Sequence, residues 1–321
     1  MKYLNKCMMI TVFAVAMNAC NRDEIFEREQ YKHVIALVSE GSFNIFAEEH
    51  DLSLCDAEGF TEGYVAASCG GTKPTEQVVT ISLKEDAELL NEYNSISFST
   101  EGYRYAHYLP ASRYRIDQHV ISIPQGGISG RMKIRVNADG LSPDSLYFIP
   151  FRVDQCSSYE LNPNKTTALY RIYPKNFWAS TKSIPVYTHR GMKTKEGETS
   201  PVVTMMAKEM YPMSVNEVRI VAGNKIINDL TVEVIEQWAI RLSIASNGKI
   251  TIKPYSNSVY GMKVDQIDGD PDYPNVFRLV DDGYGKTFKV FLLCYDYTDA
   301  DDNKTYRMKE ELRIEYIKDV K

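Results

Sequence analysis

Apolar and polar residues alternate one by one over most of the chain. In 131–137 (RMKIRVN) Met132, Ile134 and Val136 share one parity, and Arg131, Lys133 and Arg135 the other. A period of two marks an antiparallel strand with one buried and one wet face. The same period recurs at 77–83 (QVVTISL), 119–124 (HVISIP), 146–153 (LYFIPFRV), 167–173 (TALYRIY) and 217–223 (EVRIVAG). It continues at 231–245 (TVEVIEQWAIRLSIA), 249–255 (KITIKPY), 286–297 (KTFKVFLLCYDY) and 312–317 (LRIEYI). Asn-Gly, Asp-Gly, Gly-Gly and proline-rich turns bound these runs. Asn247-Gly248, between two alternating runs, is the sharpest hairpin signal. One segment departs from the period: in 84–93 (KEDAELLNEY) Ala87, Leu90 and Tyr93 fall at helical spacing. Many short strands and a single short helix predict an all-β protein built from sandwiches.

The alternation breaks between about Tyr173 and Ser200. There 173–185 (YPKNFWASTKSIP) and 189–201 (HRGMKTKEGETSP) are polar and rich in breakers. The chain therefore divides near Asn176 into two consecutive antiparallel β-sandwich modules, 31–175 and 176–321, with the helix in the first. A length of 321 residues suits two domains at roughly 150 residues each.

The N-terminus has another pattern. Lys2 and Lys6 precede an uncharged apolar run from Met8 to Ala19. A basic start, a short apolar stretch and a small residue at the break are the parts of a secretory signal peptide, expected over 1–19. The run is too short for a membrane-spanning helix, which needs about 20 apolar residues. Met17-Asn18-Ala19-Cys20 resembles a lipobox, which makes Cys20 the expected lipidation site and 20–30 a lipidated tether. Asn21-Arg22-Asp23-Glu24 resembles the acidic tag that directs Bacteroidetes lipoproteins to the outer face of the outer membrane. The expected location is therefore the outer membrane, lipid-anchored and facing the cell exterior.

The net charge of −6 and the lack of any Lys/Arg block exclude a nucleic-acid partner. Of the six cysteines, Cys7 leaves with the signal and Cys20 takes lipid. Cys55 and Cys69 are near enough in sequence to pair. Cys294 shares a strand face with Phe288, Val290 and Leu292 and reads as a buried free thiol. Five histidines show no HxH or HExxH spacing, and no serine elbow, phosphate loop or dinucleotide fingerprint is present. No cofactor, metal or catalytic residue is expected. Asp299, Asp301, Asn303 and Glu310 fall at calcium-loop spacing. However, Lys304 replaces the turn glycine, and a bulge would turn Glu310 outward. An acidic hairpin tip is the simpler reading. The segment 267–274 (IDGDPDYP) lacks the spacing and final glutamate of the family 18 glycosidase motif, and its prolines make it a loop.

Aromatic residues are the better clue, because flat rings stack on the apolar faces of sugars. Trp238 alternates with Val234, Ile240 and Leu242 and reads as core. Trp178, beside Phe177 at the module break, reads as an interface wedge or a sugar platform. Tyr255, Tyr260, Tyr273 and Tyr284 lie in or near turns of the second module, with Asn257, Asp270 and Asp272 close in sequence. Such turns can gather at one end of a sandwich. Trp178 and these four tyrosines are the candidate ligand-binding residues.

The ordered set VVTISLKEDAELLNEYN, YLPASRY, HVISIPQGG, RMKIRVNADGL, YFIPFRV and NPNKTTALYRIYPK, over about Val34–Lys175, resembles domain-of-unknown-function family 1735 of Bacteroidetes lipoproteins. The C-terminal KTFKVFLLCYDYTDADDNKTYRMKEELRIEY is similar to the closing hairpin of domain-of-unknown-function family 4361. The resemblance implies an immunoglobulin-like first sandwich; a lectin-like or jelly-roll-like second one is expected beside it. It also implies an accessory role in polysaccharide utilisation, with a glycan or polysaccharide as partner and outer-membrane transport proteins as neighbours. Two alternatives stay open: a glycoside hydrolase with an all-β active site, and a protein-binding adhesion or structural module.

Overall fold

The structure is a computed structural model and describes residues 31–227 and 231–318. The expected signal peptide, Cys20 and the tether lie outside the described residues. Among the described residues, no helix is long and apolar enough to cross a membrane.

Among the described residues, eleven strands precede Asn176. They are β1 (Val34–Leu37), β2 (Ile45–Asp51), β3 (Thr61–Gly70), β4 (Val79–Glu85), β5 (His107–Tyr108) and β6 (Tyr114–Arg115), followed by β7 (Val120–Ile123), β8 (Ser129–Val136), β9 (Tyr147–Cys156), β10 (Glu160–Leu161) and β11 (Thr167–Lys175). One sheet runs β10-β1-β3-β8-β6. The other runs β2-β11-β9-β4-β7, with β5 beside β9. The pairing is antiparallel except at β1–β10, β2–β11 and β5–β9. Inward residues of both sheets, among them Ile35, Val65, Ile134, Ile81, Phe151 and Tyr170, form one core. Helix α1 (Ala87–Phe98) starts where the Asp86 carboxylate accepts from Glu88 N, and it packs Leu90 and Tyr93 on Phe148 and Leu169.

A buried polar network crosses this first core. His50 Nδ1 lies 2.7 Å from Thr61 Oγ1, and its Nε2 lies 2.9 Å from Tyr170 OH. Tyr170 OH donates to Glu48 Oε2 (2.6 Å), which also accepts from Tyr64 N (2.7 Å). The network sits directly over Gly63, where a Cβ would collide with the Tyr170 hydroxyl and the Glu48 carboxylate.

The second module contributes β12 (Val186–Lys195), β13 (Val202–Glu209), β14 (Tyr211–Ser214), β15 (Glu217–Val221) and β16 (Ala239–Ile244), then β17 (Ile250–Pro254), β18 (Val264–Gln266), β19 (Val276–Asp281), β20 (Thr287–Asp299) and β21 (Lys304–Glu315). One sheet runs β13-β12-β21-β20-β18, with β19 also on β20, and a four-stranded meander runs β14-β15-β16-β17. Val218, Ile220, Ile240 and Leu242 from the meander meet Tyr187, Phe291, Leu293, Tyr295 and Met308 from the larger sheet. At about 1.5–3 kcal/mol for each large apolar side chain buried, these two cores supply the main drive for folding.

Four expectations need correction. The run 231–245 is not one strand: helix α2 (Val232–Trp238) precedes β16. Thr231 caps it by accepting from Val234 N, and Ile235 and Trp238 are its buried residues. Trp238 is core as expected, but from a helix. Cys294 is buried and free, yet the sandwich core takes the opposite parity, Phe291, Leu293, Tyr295 and Tyr297. Cys294 lies under the 267–275 segment, donating its N–H to Asn275 Oδ1 and accepting from Ile267 N. Cys55 and Cys69 are unpaired thiols. No bulge interrupts β20–β21, so Glu310 points inward and is fully buried. Asp299 pairs with Lys193 and Asp301 with Lys225 at that hairpin.

The modules are tied at several points. The Arg219 guanidinium, 3% exposed on its side chain, forks onto both oxygens of Asp144. Gly140 N donates to Met213 O, and the Ser180 hydroxyl donates to Glu49 Oε1.

Candidate functional site

The chain leaves β11 into a turn held by one side chain. Asn176, nearly fully buried, accepts from the backbone N–H of Trp178 (3.0 Å) and Ala179 (2.9 Å) through Oδ1. Its Nδ2 donates to Ser214 O (2.8 Å) and Glu217 O (3.0 Å) on the β14–β15 hairpin. An Asx turn of this kind fixes a backbone that no sheet supports. It fixes Trp178 against the second module, where Tyr187 OH also donates to Trp178 O (2.9 Å).

The Trp178 ring meets Phe177 and Phe277 edge to face, each with a centroid separation of 5.6 Å. Such T-shaped contacts are worth roughly 0.5–1.5 kcal/mol beyond buried area. Trp178 thus packs on the core as a wedge. It also walls an open groove of about 510 Å³, shared with Asn216, the 244–248 turn, Phe277 and Arg278. Its indole N–H is buried with no hydrogen-bond partner among the described residues. Gly248 shapes the groove's rim: its φ of +83° suits the hairpin, and a Cβ there would strike the carbonyl of Phe277. Asn216, Ser246, Asn247 and Arg278 are exposed, so their amide, hydroxyl and guanidinium groups face water beside two aromatic rings. An apolar wall next to neutral amide and hydroxyl groups and one guanidinium can hold a polyhydroxylated ring. These polar residues and Phe277 were not singled out from sequence. The Asn-Gly signal at 247–248 marked the hairpin but carried no hint of what faces it.

The four tyrosines do not gather. Tyr284 is 93% exposed at the β19–β20 tip, held by Asp282 Oδ1, beyond the Thr287 end of β20. Tyr260 is exposed in the loop before β18, whose partners Tyr295–Tyr297 lie toward the other end of β20. Along a 13-residue strand those ends stand about 40 Å apart. Tyr255 is half-buried, with the Arg219 guanidinium 5.3 Å from its ring centroid. Tyr273 is half-buried on the outer face of the larger sheet, where Asp270 accepts from its N–H and pairs with Lys309.

A second polar cluster lies on the first module. Glu85 Oε1 is 3.0 Å from His119 Nε2, and its Oε2 accepts from Tyr114 OH (2.7 Å) and Tyr108 OH. Burial pushes this carboxyl up, but hydrogen bonds from Tyr108, His119 and Tyr114 outweigh it and hold the group below its ordinary value. A carboxylate kept ionised in this way is poorly suited to donate a proton to a glycosidic oxygen. Among the described residues, no group of three His, Cys, Asp or Glu side chains is arranged to hold a metal ion.

Comparison with known proteins follows the two modules. A family model for an N-terminal domain matches residues 31–160, and a C-terminal counterpart matches 166–313. No curated protein matches the chain. Among solved structures, a multidomain Bacteroides ovatus protein including DUF1735 superimposes with a TM-score of 0.64 at 15% identity, covering 89% of this chain and 95% of that one. A Bacteroides ovatus protein of unknown function gives 0.65 at 16% identity, covering 88% and 94%. A Bacteroides thetaiotaomicron protein described as an auxiliary nutrient binding protein gives 0.57 at 17% identity, covering 89% and 95%. At these identities the likeness is one of fold.

Proposed function

The chain belongs to the Bacteroidetes family of proteins that contain domain of unknown function 1735, and from that premise we propose that it binds glycans without catalysis, as an accessory component of polysaccharide utilisation. The observation that carries this reading is the Trp178 groove, where two rings, neutral amide and hydroxyl groups and the Arg278 guanidinium line one open trough. The nutrient-binding role named for one fold relative supports it. Lipidation at Cys20 and display on the outer face of the outer membrane belong to the same proposal, with transport proteins of that membrane as neighbours.

Affinity electrophoresis of the soluble chain through gels carrying host and plant polysaccharides tests the binding. Retention by at least one polysaccharide is expected. Trp178→Ala should weaken it about thirtyfold, since losing a central aromatic anchor costs about 2 kcal/mol. Ala substitutions at Tyr255, Tyr260, Tyr273 and Tyr284 test the other candidates in the same gels. If no polysaccharide retards the chain, the binding proposal fails. Release of reducing sugar from the same panel would replace it with a hydrolase.

A further inference from the structure

A cavity of about 340 Å³ lies between β13, β15 and α2 and shares no lining residue with the Trp178 groove. Its walls are mostly apolar: Val186, Met206, Ile220, Ile226, Ile227 and Ile235. One wall is Lys208, which is 3% exposed. Its Nζ donates to Glu310 Oε2 at 2.5 Å, and Glu310 is fully buried. Glu310 Oε1 accepts from Tyr295 OH (2.7 Å), and Tyr295 OH accepts from Gly223 N (2.9 Å). His189, also fully buried, has Nε2 3.2 Å from Glu310 Oε2, near enough for attraction to charge but not aligned for a hydrogen bond.

This cluster occupies positions that the strand pattern reserves for apolar residues. Lys208 shares its parity with Met206 and Met210, and Glu310 sits between Met308 and Leu312. A buried ion pair is no better for stability than packed apolar side chains, and often worse. The pair therefore calls for a purpose besides holding the sandwich together. An ammonium carries three N–H donors, and Glu310 takes one. Lys208 can offer another to a molecule in the cavity.

The charges around the cavity restrict that molecule. Lys208 is neutralised by Glu310, Arg219 by Asp144 and Lys225 by Asp301. The fourth charged group of the lining, Glu209, accepts from Tyr211 OH. Among the described residues an anion would meet no unpaired cation and would face Glu209, while a cation would meet three cationic side chains, Lys208, Arg219 and Lys225. The volume lies near the lower end of the ~300–1,000 Å³ typical of small-molecule sites. We propose that this cavity binds a small, neutral, largely apolar molecule carrying one hydrogen-bond acceptor, which accepts a hydrogen bond from Lys208 Nζ. The site is distinct from the glycan groove, and its test is independent of the outcome there.

Three matched probes test it on the whole two-module chain: benzophenone (apolar, one carbonyl), diphenylmethane (the same frame without the acceptor) and diphenylacetate (an anion). Benzophenone is expected to bind at least tenfold more tightly than either of the others by titration. On irradiation it should label Met206, Ile220 or Ile227, read by peptide mass spectrometry. The paired change Lys208→Met with Glu310→Gln leaves no buried charge behind and should abolish the preference for benzophenone over diphenylmethane. Equal binding of benzophenone and diphenylmethane by the native chain, tighter binding of diphenylacetate, or labelling confined to other surfaces would each overturn the proposal. The labelling map on the native chain decides the matter if the double variant does not fold.

Discussion

Acid should loosen the first module well before its carboxylates titrate, because of His50. The ring is 1% exposed, and burial lowers its pKa from 6.5 to about 4. The unfolded chain therefore binds a proton between pH 6.5 and 4 that the folded chain refuses. Stability must fall as pH falls through that window, and the contribution levels off below about 4, where both states are protonated. A tenfold difference in proton affinity between the two states is worth about 1.36 kcal/mol, so the full loss is about 3 kcal/mol, set against ~5–15 for a typical domain. The interval from pH 6.5 to 5 isolates the effect, since carboxylates titrate nearer 4 when unfolded. Urea titrations followed by tyrosine near-ultraviolet circular dichroism should show the midpoint dropping by about 1–3 M over the whole window, at ~1–3 kcal/mol per M. Both tryptophans, Trp178 and Trp238, lie in the second module, so their fluorescence reports that module separately. His50→Gln should flatten the first module's pH dependence. A midpoint that holds steady from pH 7 to 4.5, or a variant with the native slope, would refute the reasoning.

Two further outcomes follow from the geometry. Arg219→Ala leaves Asp144 without its partner at the joint and should cost about 3 kcal/mol. Calorimetry should then separate the two modules' transitions, and an unchanged trace would mean that the fork does not couple them. The cysteines among the described residues are four free thiols. In a chain beginning at Asn21, which omits Cys7 and Cys20, a thiol reagent should count four after denaturation. In the folded chain Cys55 and Cys156 should react before buried Cys69 and Cys294, and a denatured count of two would reveal a disulfide.

The strands most legible in the sequence are those whose inward side chains are large and apolar, such as β4, β8, β15 and β20. The less legible strands have unusual inward faces. In β3 the inward residues include Thr61 and Gly63, set against the Tyr170–His50 network, and the small Ala67. In β12 they are Tyr187, His189 and Gly191, and in β13 Thr204, Met206 and Lys208, because a polar cluster replaces part of the core there. Period two is present in both, but hydrophobicity does not report it. At 231–245 the capping Thr231 and the apolar trio Val234, Ile235 and Trp238 were helical signs that the longer alternation hid. Trp178 was legible as a candidate, but its groove was not. Residues 178, 216, 244–248 and 277–278 come from four separate segments, joined by the Asn176 clamp and the β16–β17 hairpin.

The place of β11 bears on how this architecture can be cut and recombined. The family models divide the chain between residues 160 and 166, which assigns β11 to the C-terminal half. In the fold β11 lies between β2 and β9, bonded to both along its length. A gene fragment ending at 160 would open the middle of a sheet and leave two raw strand edges for another chain to find. The heritable unit that can be grafted onto a new partner domain runs through Lys175. Any shuffling event that keeps the first sandwich intact must carry along a strand that sequence similarity credits to its neighbour.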